Sequence, residues 1–184
     1  SYNGISVVYD EQNVGNLKSY GGIQFGYEGR KLTSYNDGIK TVNFKYNADG
    51  LRTEKAVNAT GTDSVTVKYV YEGDRLLYET KNGVVTRFVY DDNGMLYGFI
   101  NNSVRYYYVR DLQQRIVAIV NESGAFVAGY NYDSFGITTE LLGDVEIARI
   151  NPFRYKGYYY DNETGFYYCK TRYYNPYWGR WLTA

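Results

Sequence analysis

Histidine is absent from all 184 residues, and cysteine occurs once, as Cys169. Without an imidazole, no serine, threonine or cysteine has its usual activating base, and a Cys/His metal site lacks its ligands. A single cysteine cannot close an internal disulfide, so Cys169 reads as a buried or half-buried strand thiol. An excess of either charge is missing too: Lys+Arg and Asp+Glu are 20 each, for a net charge of zero. Proteins that live on phosphate backbones usually show a basic excess, so nucleic acid is not an expected partner. No apolar run approaches the roughly 18 residues that span a bilayer, and no basic-then-apolar leader opens the chain. These absences leave no metal, no cofactor and no assembled catalytic set to expect.

What is abundant is tyrosine, 25 residues of it, against 8 Phe and 2 Trp. Tyrosine favours strands, and the chain repeats a strand-like unit: "VVYDEQNVGNLKSY", "FGYEGRKLTSYN", "FKYNADGLRTEK", "YVYEGDRLLYET" and "FVYDDNGMLYGF". The anchors Tyr9, Tyr27, Tyr46, Tyr71 and Tyr90 are spaced 18, 19, 25 and 19 residues apart. A degenerate copy places Val109 at the anchor, and "YNYDSFGITTE" follows with Tyr132. Each unit ends a strand at Tyr, turns through polar residues and glycine, and returns on an apolar residue. The extra length before Tyr71 reads as an extended hairpin loop at "NATGTDS". The pattern predicts an all-β antiparallel meander of hairpins over 1–138. A connector at 139–152 contains one helical turn, "GDVEIARI", capped by Asp144. A Tyr-rich segment at 153–184 reads as one hairpin, "FRYKGYYYD" up, "NETG" turning, "FYYCKTRYY" down. Its rings would pack as a wall under the stems of Lys156, Lys170 and Arg172.

The Tyr-Asp units with Gly-Leu turns resemble the YD repeats of the Rhs family, which takes in Tc-toxin and WapA-like proteins. The resemblance covers essentially the whole chain. Its most specific part is "NPFRYKGYYYDNETGFYYCKTRYYNPYWGRWL", which looks like the Rhs repeat-associated core. The matching positions are Asn151, Pro152, Phe153, Arg154, Tyr155, Gly157, Tyr159, Asp161, Gly165, Tyr167, Tyr168, Arg172, Tyr173, Tyr174, Pro176, Gly179 and Arg180. Phe166 stands where the family commonly has Leu, and Asn175 where it has Asp. The resemblance implies a spiral β-sheet forming a hollow shell around a C-terminal toxin. It also implies an aspartyl self-cleavage motif downstream of Ala184. The expectation is therefore an arc of shell wall from a secreted or cell-surface bacterial protein, without its cargo or protease and not itself an enzyme. Its partners would be the toxin and the remaining shell. The resemblance sets Arg180 beside the cleavage region, where it would orient the scissile chain; stacking on Trp178 or Trp181 is the other reading.

The acidic residues Asp91, Asp92, Asp133, Asp161 and Glu163 all fall in predicted turns, and turn chemistry accounts for them without catalysis. "DDNG" at 91–94 lacks the remaining ligands of a calcium loop. Four Asn-x-Ser/Thr sequons, at Asn58, Asn101, Asn121 and Asn162, coincide with turns. The alternative function is a cell-wall or carbohydrate-binding aromatic repeat module. Against it, such repeats lean on Trp, and Trp178 and Trp181 lie outside the repeats. An arc of wall would leave both sheet edges and the concave face incompletely covered, inviting self-association.

Overall fold

The computed structural model describes residues 4–10 and 15–183. Fourteen strands come first. They are β1 (Val7–Tyr9), β2 (Leu17–Tyr20), β3 (Ile23–Glu28), β4 (Lys31–Asn36), β5 (Lys40–Tyr46), β6 (Arg52–Ala59) and β7 (Val65–Glu72). There follow β8 (Arg75–Lys81), β9 (Val84–Tyr90), β10 (Leu96–Asn101), β11 (Val104–Arg110), β12 (Ile116–Val120), β13 (Phe126–Tyr132) and β14 (Thr138–Gly143). Each pairs antiparallel with its neighbours in chain order, and the sheet stays open, with β1 and β14 as its edges. The all-β meander is the one the repeat predicts. The sheet runs on past residue 138 to Gly143, so β14 occupies much of the expected connector. What remains of it is α1 (Val145–Ile150), where Asp144 Oδ1 accepts from the amides of Glu146 (3.0 Å) and Ile147 (3.1 Å).

Alternation sets which face is dry. On β5, Val42 and Phe44 are buried while Asn43 and Lys45 are exposed; on β7, Val67 and Tyr69 are buried while Lys68 and Val70 are exposed. An Asp or Asn just after the strand builds the longer turns. In the loop from Asp91 to Met95, the Asp91 carboxylate accepts from the amides of Asn93 (2.9 Å) and Met95 (2.8 Å). Asp111, Asn121 and Asp133 repeat the same pair of bonds, to the second and fourth amides beyond them. Where the residue is Glu, a methylene longer, the turn instead tightens to two residues, with Glu28 opposite Lys31 and Glu72 opposite Arg75. Replacing Asp91 by Ala should cost about 1–2 kcal/mol, while Asp91→Asn should be near neutral, because Asn121 already does the same work. Urea midpoints of the two variants check this.

The Tyr-rich segment does not continue the wall as a single hairpin. Phe153 makes an isolated bridge to Tyr159, Tyr155–Gly157 form one 3-10 turn, and four short strands follow. These are β15 (Tyr159–Asp161), β16 (Phe166–Cys169), β17 (Arg172–Asn175) and β18 (Arg180–Trp181), a second antiparallel sheet. The stretch taken for one descending strand is two, because the chain reverses at Lys170 and Thr171 between Cys169 and its partner Arg172.

This small sheet lies on the dry face of the large one. Phe25 and Tyr35 meet Phe166, Phe44 meets Tyr173, Tyr69 meets Tyr159, and Phe88 meets Phe153, with ring centroids 4.9–6.2 Å apart. Strands lie about 4.8 Å apart, so fourteen laid flat would span about 60 Å, and four about 15 Å. Yet the small body touches Tyr20 on β2 through Trp178 and Tyr132 on β13 through Tyr155. Only a strongly curled sheet brings both of its ends onto one such body. The concave face, expected to be incompletely covered, carries the chain's own final segment packed against it.

Candidate functional site

The repeat anchors are inter-strand ties. The hydroxyl of Tyr46 donates to the Leu32 carbonyl (2.6 Å), that of Tyr90 to Leu76 (3.0 Å) and that of Tyr132 to Ile116 (2.7 Å). In each case the acceptor is the first apolar residue of the preceding strand, so the ring covers the hairpin and the hydroxyl pins its neighbour. Tyr27 and Tyr71 pack against the core from the same register, while Tyr9 on β1 is half exposed. In the sixth unit the anchor is not Val109, which is 43% exposed and points outward. It is Arg110, which pairs across the bulge with Ile116 and donates from Nη2 to the Leu96 carbonyl (2.9 Å). A guanidinium here performs the tyrosine's task, which a search for aromatic anchors misses.

Beneath the anchors sits a buried ion cluster that joins the two sheets. Arg52 opens β6 at the place where other units carry Leu, and both it and Asp161 are 0% exposed. Arg52 Nη1 donates to Asp161 Oδ2 at 2.5 Å, and Lys55 Nζ bridges Asp161 Oδ1 (2.9 Å) and Glu163 Oε2 (2.6 Å). The guanidinium Nε and Nη2 have no hydrogen-bond acceptor. Ring faces surround them instead, with the centroids of Tyr168, Tyr69 and Tyr159 at 4.4, 4.7 and 4.9 Å. Burial would push the carboxyls of Asp161 and Glu163 up, but the adjacent cations hold both below their ordinary range. Glu79 differs: burial dominates and raises its pKa, although the Tyr159 hydroxyl donates to it at 2.6 Å. So Asp161 and Glu163, expected only as turn residues, are the far half of a cross-sheet ion network. The Asp161 backbone does hold the turn, accepting from Gly165 at 2.8 Å.

The other core positions divide into two further ties. Asn151, fully buried, uses its whole amide: Oδ1 accepts from Tyr108 Oη (2.7 Å) and the Phe153 amide (3.2 Å), and Nδ2 donates to Tyr130 Oη (2.9 Å) and the Phe153 carbonyl (2.6 Å). Buried Pro152 follows, and Arg154 then lies against Tyr160 (4.4 Å) and Tyr130 (5.1 Å). The third tie grips the loop after β13. Tyr155, Tyr174 and Tyr167 donate to three consecutive carbonyls, those of Ser134 (3.0 Å), Phe135 (2.9 Å) and Gly136 (2.8 Å). Gly136 has φ +95°, and a Cβ there would stand 2.6 Å from the Tyr155 ring. Asn175 Oδ1 caps the last turn by accepting from Tyr177 (2.8 Å) and Trp178 (3.3 Å), next to buried Pro176. Arg172 lies over Trp181 at 4.1 Å, and Arg180 is on β18 opposite Asn175. Gly157, Gly165 and Gly179 lie against Arg110, Tyr177 and Phe135. Tyr168 accepts the Arg52 amide at 2.9 Å, and Tyr173 meets the Tyr46 hydroxyl at 3.1 Å. The motif is thus a set of cross-sheet fasteners, its buried Asp161 paired and its tyrosine hydroxyls engaged.

Comparison with known proteins agrees with this architecture. A family model described as the Teneurin YD-shell matches residues 75–184, more than half of the chain. The tRNA nuclease WapA of Bacillus subtilis (strain 168) is 34% identical over 179 residues, covering 93% of this chain and 7% of that protein. Salivary gland surface protein 1 of Aedes aegypti is 31% identical over 160 residues, covering 79% of this chain and 5% of that one. The chain thus spans less than a tenth of the length of these relatives. Among solved structures, TcdB2-TccC3 superposes with a TM-score of 0.73 at 18% identity, over 92% of this chain and 9% of that one. The Photorhabdus luminescens Tc holotoxin pore gives 0.75 at 18% identity over the same shares. With its meander, its anchor tyrosines and the segment fastened across its inner face, the chain belongs to the Rhs-type YD-repeat shell family.

Proposed function

We propose that this chain is a structural piece of a shell that sequesters a C-terminal toxin domain of a secreted or surface-exposed bacterial protein, and that the segment itself catalyses nothing. The observation that carries the reading is the curled fourteen-stranded sheet with its inner face fastened to the final segment. A container needs a wall that keeps its curvature, and the ion network, Asn151 and the three-tyrosine grip fix curvature by tying β6, β11 and β13 to one small body. The open edges β1 and β14 offer unpaired backbone to neighbouring stretches of the same shell. The carbohydrate-module alternative needs an exposed aromatic ladder, and Phe25, Tyr35, Phe44, Tyr69, Phe88 and Phe99 are all buried. Limited proteolysis of the longer parent protein tests the reading. The domain downstream of this segment should resist cleavage in the wild type and become cleavable in Asp161→Ala; equal cleavage of both would defeat the proposal.

A further inference from the structure

A cavity of about 720 Å³ lies between the inner face of β6–β10 and the segment from α1 to β15. Apart from Arg52, that face is elsewhere apolar or aromatic, but this wall is polar. Glu79, Thr86 and Asn101 stand side by side on three adjacent strands, by the registers Glu79 opposite Thr86 and Thr86 opposite Asn101. All three are at least 94% buried, with exposures of 6%, 5% and 6%. Asn101 Nδ2 donates to Thr86 Oγ1 (2.8 Å), which uses one of its two donors. Polar groups buried in a row are costly unless something in the space beside them bonds to them. The ion network accounts for Lys55 and, through Tyr159, for Glu79; Thr86 and Asn101 lie outside it and bond to each other, leaving Asn101 Oδ1 and its second amide hydrogen without a partner among the described residues.

We infer that this cavity is a binding site for a neutral, polyhydroxylated ligand, a saccharide of about one or two rings, as its volume allows. Three properties select the class. Charge at the walls cancels: Lys55, Lys81 and Arg149 face Glu79, Glu146 and Glu163, and two of these cations are already paired to two of the acids. That disfavours an ion as ligand. The amide of Asn101 and the hydroxyl of Thr86 can both donate and accept, as sugar hydroxyls require. Tyr159 and Tyr160 border the same wall. An extended peptide would need a free strand edge, and β6 to β10 are each paired on both sides.

The test uses the wild-type chain, titrated with maltose, cellobiose and diacetylchitobiose, and in parallel with a capped Gly-Ser tetrapeptide. The readout is the side-chain amide resonance of Asn101. One disaccharide should shift it saturably in the millimolar range or below. The double variant Thr86→Val/Asn101→Leu removes both partners of their mutual bond, a change a core tolerates, and should weaken binding about tenfold or more. If the variant fails to fold, the wild-type shift still decides. No shift with any disaccharide, a shift with the peptide alone, or binding indifferent to the double variant in its folded form would each overturn the inference.

Discussion

Asp161→Ala should cost about 3–5 kcal/mol of folding stability, because it leaves Arg52 and Lys55 buried with their shared counter-charge gone. For a chain of this size that corresponds to a fall in Tm of about 6–20 °C. The loss measures a stranded charge and not the net worth of the pair. Adding Arg52→Met to Asp161→Ala should therefore return part of it, with a coupling above about 1 kcal/mol in a double-mutant cycle. A single-variant loss under about 1 kcal/mol would contradict the geometry. The same network sets an acid limit. Asp161 and Glu163 have folded pKa values below their ordinary 3.8 and 4.5, so their contribution is complete above those values and drains away as pH falls through the depressed ones. Glu79 has the opposite sign, its raised value removing stability as pH climbs above 4.5. Wild-type Tm should drop steeply at low pH, and the Asp161→Ala variant should show a shallower decline. Parallel slopes would assign the acid sensitivity elsewhere.

The second large effect belongs to Asn151. Asn151→Leu keeps roughly the volume but strands the Tyr108 hydroxyl and both backbone groups of Phe153, and should cost about 2–4 kcal/mol. Asn151→Asp is the informative companion. It keeps the two acceptor roles, yet turns a donor toward Tyr130 and the Phe153 carbonyl into a second acceptor, so it should not rescue. Urea unfolding of the two variants, with equal slopes, checks both; an Asp variant as stable as wild type would show that the donor side of the amide is dispensable.

Much of this was readable from residues alone, and the parts that were not have identifiable causes. Tyr46, Tyr90 and Tyr132 announce themselves because strand, turn and return are local, and the Asp after Tyr closes its own loop within four residues. The helical cap at Asp144 is local too. Arg110 escaped because a hydroxyl's task passed to a guanidinium. Arg52 carried a signal that could have been used: a charged residue opposite the anchor tyrosine, where Leu17, Leu32, Leu76 and Leu96 stand in sister units. Asp161 and Glu163 looked like turn residues because their partners lie about a hundred residues away, and no local pattern encodes such a distance. The final segment looked like wall for the same reason. Its Tyr-rich strands obey strand rules, and only the surface they rest on distinguishes a cover from a continuation.

The bond between Arg52 and Asp161 spans 109 residues of chain. At translation rates of about 5–20 residues per second, Arg52 leaves the ribosome roughly 5–20 s before its counter-ion does. Early hairpins have ample time to zip, since such steps take microseconds. Their inner surface, though, stays wet and its guanidinium unmatched until Asp161 and the strands around it are made. Synthesis order thus turns the segment from Phe153 onward into a clock: the fourteen-stranded scaffold stays pliable while it is written and sets its shape only once that segment follows.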